Sequence, residues 1–213
     1  LPLTGLMNEG GLLRIIYDFG IANELFPCLI FIGIGAMCDF GPLLENPKLL
    51  LLGAAGQFGI FLTLLLALQL GFTPLEACAV GIIGACDGPT SIYFSSKFAR
   101  DLLPAISVAA YSYMALVPII QPPIMRALTT KKERGVNMGI VKRTVSYPVK
   151  LIFPIVVTVF TCLIAPQGAP LIGTLMLGNF LREALVVERL SNTAQNELAN
   201  IVTLLLGICI GAT

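Results

Sequence analysis

There is no histidine anywhere in these 213 residues. Ser-His-Asp and Cys-His catalysis and the common zinc sites are therefore excluded within them, and any chemistry must rest on carboxylate, hydroxyl and amide groups. Charge is also scarce. Charged residues make up 12% of the chain against 56% hydrophobic, and the mean hydropathy of +0.90 lies outside the range of soluble globular domains. The net charge of +1 says little about partners, and no basic stripe with interleaved aromatics points to nucleic acid. The six cysteines, at 28, 38, 78, 86, 162 and 209, stand in or beside apolar runs and form no Cys-x-x-Cys pair. They read as small packing residues rather than disulfides or metal ligands. The composition is that of an integral membrane protein lying in a lipid bilayer, in which the few polar groups carry the information.

Those groups concentrate in Gly81-Ile-Ile-Gly-Ala-Cys-Asp-Gly-Pro-Thr-Ser-Ile-Tyr-Phe94. Asp87 is the residue to explain, because a charge at mid-bilayer costs at least about 2.5–3.5 kcal/mol and marks a functional site by default. Pro89 has no N–H and clashes with the preceding turn, and Gly84 and Gly88 tolerate non-helical torsions. The segment 77–98 therefore reads as one broken span, interrupted at 87–89, with freed carbonyls facing Asp87. Thr90 and Ser91 add hydroxyls, completing an oxygen donor set suited to a hard cation such as Na⁺. In a soluble chain Asp-Gly-Pro-Thr would be a surface turn; the apolar flanks argue against that here.

The remaining spans fall at about 21–38, 49–72, 102–125, 151–165, 168–181 and 198–213, with residues 1–20 as a loop and an amphipathic stretch. The segment 126–150 holds Arg126, Lys131, Lys132, Arg134, Lys142, Arg143 and Lys150 against Glu133 alone, which makes it a cytoplasmic loop. Counting outward from it, 21–38 runs outward and 168–181 inward. Tyr113 lies near the middle of its span, where its hydroxyl needs a partner. Asp39, before Gly41-Pro42, is either a second buried carboxylate or, the preferred reading, an interfacial turn and cap. The amides Asn192, Gln195 and Asn196 fit a solvated cytoplasmic helix and a polar site equally well.

A weak internal echo links Pro27, Gly35 and Asp39-Phe40 with Pro170, Gly178 and Asn179-Phe180, and Thr63-Leu-Leu-Leu66 with Thr203-Leu-Leu-Leu206. The second unit begins five spans after the first, an odd number, so it would be inverted. The expected fold is thus an all-α polytopic membrane protein, one transmembrane domain built as an inverted-repeat, secondary-transporter-like bundle with discontinuous helices. The chain starts without Met and stops inside an apolar run, so it is expected to be part of a longer protein whose next Gly/Pro-interrupted span meets Asp87.

Four stretches, Gly35-Ala-Met-Cys-Asp-Phe-Gly-Pro-Leu-Leu44, Asp87-Gly-Pro-Thr90, Ala109 through Met125 and Val187 through Asn196, resemble the beta subunit of sodium-pumping biotin-dependent decarboxylases. That family acts on oxaloacetate, methylmalonyl-CoA or glutaconyl-CoA. The resemblance implies a subunit of a bacterial inner-membrane complex that decarboxylates carboxybiotin, exports Na⁺ and consumes a proton. It implies as partners a carboxyltransferase with its biotin carrier and a small membrane subunit, in an oligomeric complex. Asp87 matches the family's principal sodium carboxylate and Tyr113 the tyrosine implicated beside it; Cys86 stands where the family usually has Gly or Ala. The competing readings are a cation-coupled secondary transporter of a small carboxylate, without biotin chemistry, and a membrane scaffold with no site.

Overall fold

The structure, a computed structural model, describes residues 5–136 and 145–213, so Lys142 and Arg143 of the basic loop lie outside it. Among the described residues all regular structure is helical. Four stretches, Pro47–Gln69, Arg100–Leu128, Tyr147–Ile164 and Glu188–Ala212, are long and apolar enough to cross a membrane, and a bent pair, Leu12–Ala22 with Leu25–Met37, makes up to five. The chain is an all-α polytopic membrane protein.

Helix α1 (Leu12–Tyr17) continues through a π-turn, Asp18–Ala22, and gives way to α2 (Leu25–Met37) across a 59° bend. The break falls on Glu24, at φ 61°, a torsion few non-glycine residues adopt. It lies inside the stretch read as one span over 21–38. After α3 (Gly41–Glu45), helices α4 (Leu50–Gly56) and α5 (Phe58–Gln69) make the second crossing. None of its most apolar window is buried against the other described residues.

Thr73 opens α6 (Pro74–Gly81) with a capping box closed by Glu76. A 3₁₀ turn, Ile82–Ala85, follows, then the non-helical Cys86 and Asp87, then α7 (Gly88–Phe98). The long α8 (Leu103–Leu128) leads to α9 (Lys131–Arg134), whose Glu133 carboxylate lies below its usual pKa because it accepts from the Thr130 backbone N–H and hydroxyl. Beyond the loop come α10 (Tyr147–Ile164), α11 (Ala169–Glu183), α12 (Glu188–Thr193) and, through a π-turn at Ala194–Leu198, α13 (Ala199–Ala212).

The closest helix pair is α2 with α11. A Cβ at Gly35 would overlap the Leu175 carbonyl oxygen, and one at Gly178 the Ile32 carbonyl oxygen. Reciprocal glycines of this kind let two backbones meet where lipid supplies no hydrophobic drive. Phe31, midway along α2, packs with Leu171 near the start of α11, while Asn179 Nδ2, further along α11, donates to the Cys38 carbonyl just past the end of α2 at 2.9 Å. The two helices therefore run in the same direction. The sequence count placed them antiparallel, as an inverted repeat requires, so this pair does not supply that relation.

The count differs because the segment 77–98 folds back. Gly81 and Gly84 lie against Ile60 and Gly59, so α6 runs antiparallel to α5. Ala79 of α6 then shares a buried cluster with Ala99, just past the end of α7, and with Ile106 of α8. Two half-helices in line could not bring residues 79 and 99 together; side by side they can. The segment is a helical hairpin with Cys86 and Asp87 at its tip, and neither arm alone reaches the roughly 20 residues of a span. The two hairpin ends should therefore lie on one side of the membrane. Cysteines introduced as Leu70→Cys and Asp101→Cys are expected to react with an impermeant maleimide from the same face, in intact cells or inverted vesicles; labelling from opposite faces would restore the single crossing.

Candidate functional site

Asp87 stands at the N-terminal end of α7 with an extended backbone, φ −133° and ψ 106°. Cys86, at φ 57° and ψ 38°, makes the reversal that ends the 3₁₀ turn and leads into Asp87, which is partly buried. A non-glycine residue in this region costs of order 1 kcal/mol and is held by its surroundings. The carboxylate does not cap the helix backbone. Instead the Thr90 hydroxyl donates to Asp87 Oδ2 at 2.5 Å, within the range of charge-assisted O–H···O⁻ bonds. Ser91 is buried and its hydroxyl donates to the Asp87 carbonyl oxygen at 2.9 Å. Carboxylate, hydroxyl and main-chain oxygens thus meet at the positive end of a helix, where negative charge is favoured.

Two residues of α8 close the tip. The Gly88 N–H donates to Met114 Sδ at 3.2 Å, and the Tyr111 ring lies so close to Gly88 that a Cβ there would meet ring carbon Cζ at 2.7 Å. Tyr111, not Tyr113, is therefore the tyrosine beside Asp87 in this structure. Two residues on along a helix is about 200° of rotation, so Tyr113 points the other way. It is 40% exposed, in an apolar groove with Val117, Ile120 and Gln121.

Asp39 closes a local turn, accepting from the Gly41 N–H at 2.9 Å with its side chain 52% exposed. Its neighbours are Gly41, Lys150 and Arg182, and none of them is at the hairpin tip. Asn196 donates to the Asn192 carbonyl at 3.0 Å within the π-turn, and Asn192 borders a polar cavity with Arg182. The structure thus brings Asp87, Thr90 and Ser91 together and leaves Tyr113, Asp39, Asn192 and Asn196 elsewhere.

Sequence reading missed a second polar cluster at the far end of α7. Lys97 Nζ lies 3.9 Å from the Glu24 carboxylate and 3.5 Å from Tyr93 Oη, and Tyr93, 1% exposed, donates to the Gln167 carbonyl at 3.0 Å. The signal was available, since Glu24 and Lys97 are charges inside apolar runs. Tyr111 and Met114 left none, because their role depends on which face of α8 meets the tip.

The fold and the site define a polytopic helical membrane protein with a carboxylate at the tip of a folded-back helical hairpin. Comparison with known proteins places it more closely. The model of the Na⁺-transporting oxaloacetate decarboxylase beta subunit family matches residues 1–213, and the chain belongs to that family. It is 57% identical over 210 residues to the oxaloacetate decarboxylase beta chain of Klebsiella pneumoniae, covering 96% of this chain and 48% of that protein. It is 58% identical over 207 residues to the methylmalonyl-CoA decarboxylase subunit beta of Propionigenium modestum, covering 97% and 52% respectively. With the glutaconyl-CoA decarboxylase subunit beta of Acidaminococcus fermentans the identity is 55% over 212 residues, covering 100% and 56%. The chain thus spans about half the length of the curated relatives it matches.

The contact at Gly88 makes a test of the tip independent of any activity. Gly88→Ala should lower stability by about 1–3 kcal/mol through the clash with Tyr111. Adding Tyr111→Ala should return part of the loss, read as thermal unfolding of the purified protein in detergent. Simple additivity of the two losses would show that the ring does not wedge the tip.

Proposed function

We propose that this chain is part of the membrane subunit of a sodium-translocating decarboxylase of the bacterial inner membrane. In this reading a partner's biotin domain presents carboxybiotin, the N–CO₂⁻ bond breaks, CO₂ leaves and a proton joins the ureido nitrogen. The release of CO₂ drives Na⁺ outward. The partners are a carboxyltransferase with its biotin carrier and a small membrane subunit, assembled as an oligomer. The observation that carries the proposal is the carboxylate of Asp87 with Thr90 at a hairpin tip inside the bundle. A carboxylate there can hold either Na⁺ or H⁺ and return neutral after releasing the ion.

Thr90 suits both conditions. Its hydroxyl donates to Asp87 Oδ2 and can instead turn a lone pair toward a cation, so it assists a cation ligand without adding charge. The Asp87 carbonyl oxygen accepts from both the Ser91 N–H and its hydroxyl, at 3.1 and 2.9 Å, so both its lone pairs are engaged and the oxygens of the Asp87 and Thr90 side chains are the ones left for a cation.

In the full-length complex Asp87→Asn should abolish Na⁺-dependent decarboxylation while the protein still inserts, because it keeps the shape and removes the exchangeable charge. Thr90→Val should raise the Na⁺ concentration for half-maximal rate about tenfold or more and Thr90→Ser much less. The assay is avidin-sensitive decarboxylation coupled to ²²Na⁺ uptake in inverted vesicles; near-normal turnover of Asp87→Asn would refute the assignment. The tyrosines separate in the same assay. Tyr111→Phe should shift the pH profile if its hydroxyl serves Asp87, and Tyr113→Phe should do so only if the complex brings Tyr113 to the same network.

A further inference from the structure

Five cavities stand out among the described residues. Four are mainly apolar, with Tyr113 and Gln121 the polar members of one and Ser107, Tyr111 and Ser112 those of another. The fifth, about 290 Å³, is bounded by Arg182, Leu185, Glu188, Ser191, Asn192 and Gln195, a guanidinium, a carboxylate, a hydroxyl and two amides against one apolar side chain. Its volume is at the lower end for small-molecule sites.

The cavity is held in shape from several sides. Arg182 Nη1 donates to the Met37 carbonyl at 2.7 Å, fixing the guanidinium to the end of α2. Its carboxylate neighbours, Asp39 and Glu183, stand at 3.9 Å, too far for direct hydrogen bonds, so most of its five N–H donors stay open. Gln195 Nε2 donates to Ser191 Oγ at 3.1 Å, which leaves the Gln195 carbonyl oxygen as an acceptor. Leu185, at φ 59°, and the π-turn Ala194–Leu198 frame the two sides. Strained torsions and π-turns of this sort cluster at functional sites.

Location adds to chemistry. Tyr147 Oη, on the first turn of α10 after the basic loop, donates to the Ala184 carbonyl at 3.1 Å beside the cavity, and Lys150 lies against Gly41 at the same end. By the positive-inside rule this end faces the cytoplasm. The hairpin tip lies nearby in depth. Helix α7 runs antiparallel to α2, with Glu24 meeting Lys97 and Phe31 meeting Tyr93, a register that puts Asp87 level with the last turn of α2. That is the turn Arg182 holds.

We propose that this cavity receives the carboxylated cyclic urea of the biotin carrier from the cytoplasmic side. Arg182 takes the planar carboxylate, and the Gln195 and Asn192 amides, each both donor and acceptor, take the urea carbonyl and N–H. This rests on the carboxybiotin reading above and adds to it the residues that hold the group. A guanidinium matches a carboxylate as a fork, so lysine should replace it only in part.

The test uses the full-length complex in inverted vesicles. Arg182→Gln should raise the apparent KM for free N-carboxybiotin about tenfold or more, Arg182→Lys less, with half-saturation by Na⁺ unchanged in both. An unchanged KM, or an equal shift in the Na⁺ requirement, would overturn the assignment. Should Arg182→Gln fail to insert, Asn192→Cys gives an independent readout, compared with the parent complex treated alike. Free D-biotin should slow its maleimide labelling and bicarbonate alone should not. Absence of protection by biotin, or protection by bicarbonate alone, refutes a urea site. Avidin-sensitive, Na⁺-coupled decarboxylation lost in Asp87→Asn but indifferent to both cavity variants would sink this inference alone; decarboxylation insensitive to avidin would sink the carboxybiotin reading itself.

Discussion

A carboxylate on unwound backbone can sit at membrane depth only where protein encloses it, and that requirement organises this structure. Hydrocarbon offers no hydrogen bonds, so an unpaired peptide group facing lipid costs several kcal/mol. At the break three of these groups find partners inside the protein: the Cys86 N–H goes to the Ile83 carbonyl, the Gly88 N–H to Met114 and the Asp87 carbonyl to Ser91. Each partner fixes a neighbour. Met114 and Tyr111 bring α8 against the tip, and Tyr93 further along α7 brings in α2 and the turn before α11. The glycines at 35 and 178 then let α2 and α11 close at backbone distance.

The buried hydroxyls of α7 and α8 obey the same rule and need no functional reading. Ser95 and Ser107 each donate to the carbonyl one turn back, at 2.6 and 2.7 Å, and Ser96 donates to Tyr93. Such back-bonding satisfies a hydroxyl locally and makes a helix polar in composition while it stays apolar in effect. Thr90 is the exception, because its hydroxyl turns to a side chain. That difference separates a ligand candidate from packing within one short helix.

The position of the break was legible in the sequence, and its geometry was not. Asp87, Gly88 and Pro89 interrupt an apolar run, and local rules for proline and glycine suffice to break a helix there. Whether the two halves cross the bilayer or turn back depends on what Ala79 packs against, and an apolar run of this length reads the same either way. The direction of every span counted before it changes with that one choice, which is why α2 was read as running against α11. The tyrosines failed for a related reason. Tyr111 and Tyr113 are indistinguishable by hydropathy, and only the rotation of α8 decides which faces Gly88. Asp39 was legible, because an Asp two residues before a glycine makes its turn from local bonds alone.

Along α7 the polar residues fall into three groups, and their placement constrains how charge can move through the molecule. Lys97, Glu24 and Tyr93 stand at one end, Asp87 and Thr90 at the other, and the Arg182 cavity forms the third group, beside the last turn of α2 and level with Asp87. The Lys97–Glu24 pair is partly exposed and neutral as a unit, so it can sit at the hairpin's open end at modest electrostatic cost. Asp87 is the one carboxylate at the tip, and it has no cationic partner among the described residues. A lone carboxylate in a low dielectric is stabilised by whatever positive charge arrives, and a sodium ion or a proton can each supply it. An arginine paired with Asp87 would supply that charge permanently. The guanidinium is instead tied to the Met37 carbonyl at the end of α2, so the positive charge at this level belongs to the α2–α11 pair and not to the hairpin tip.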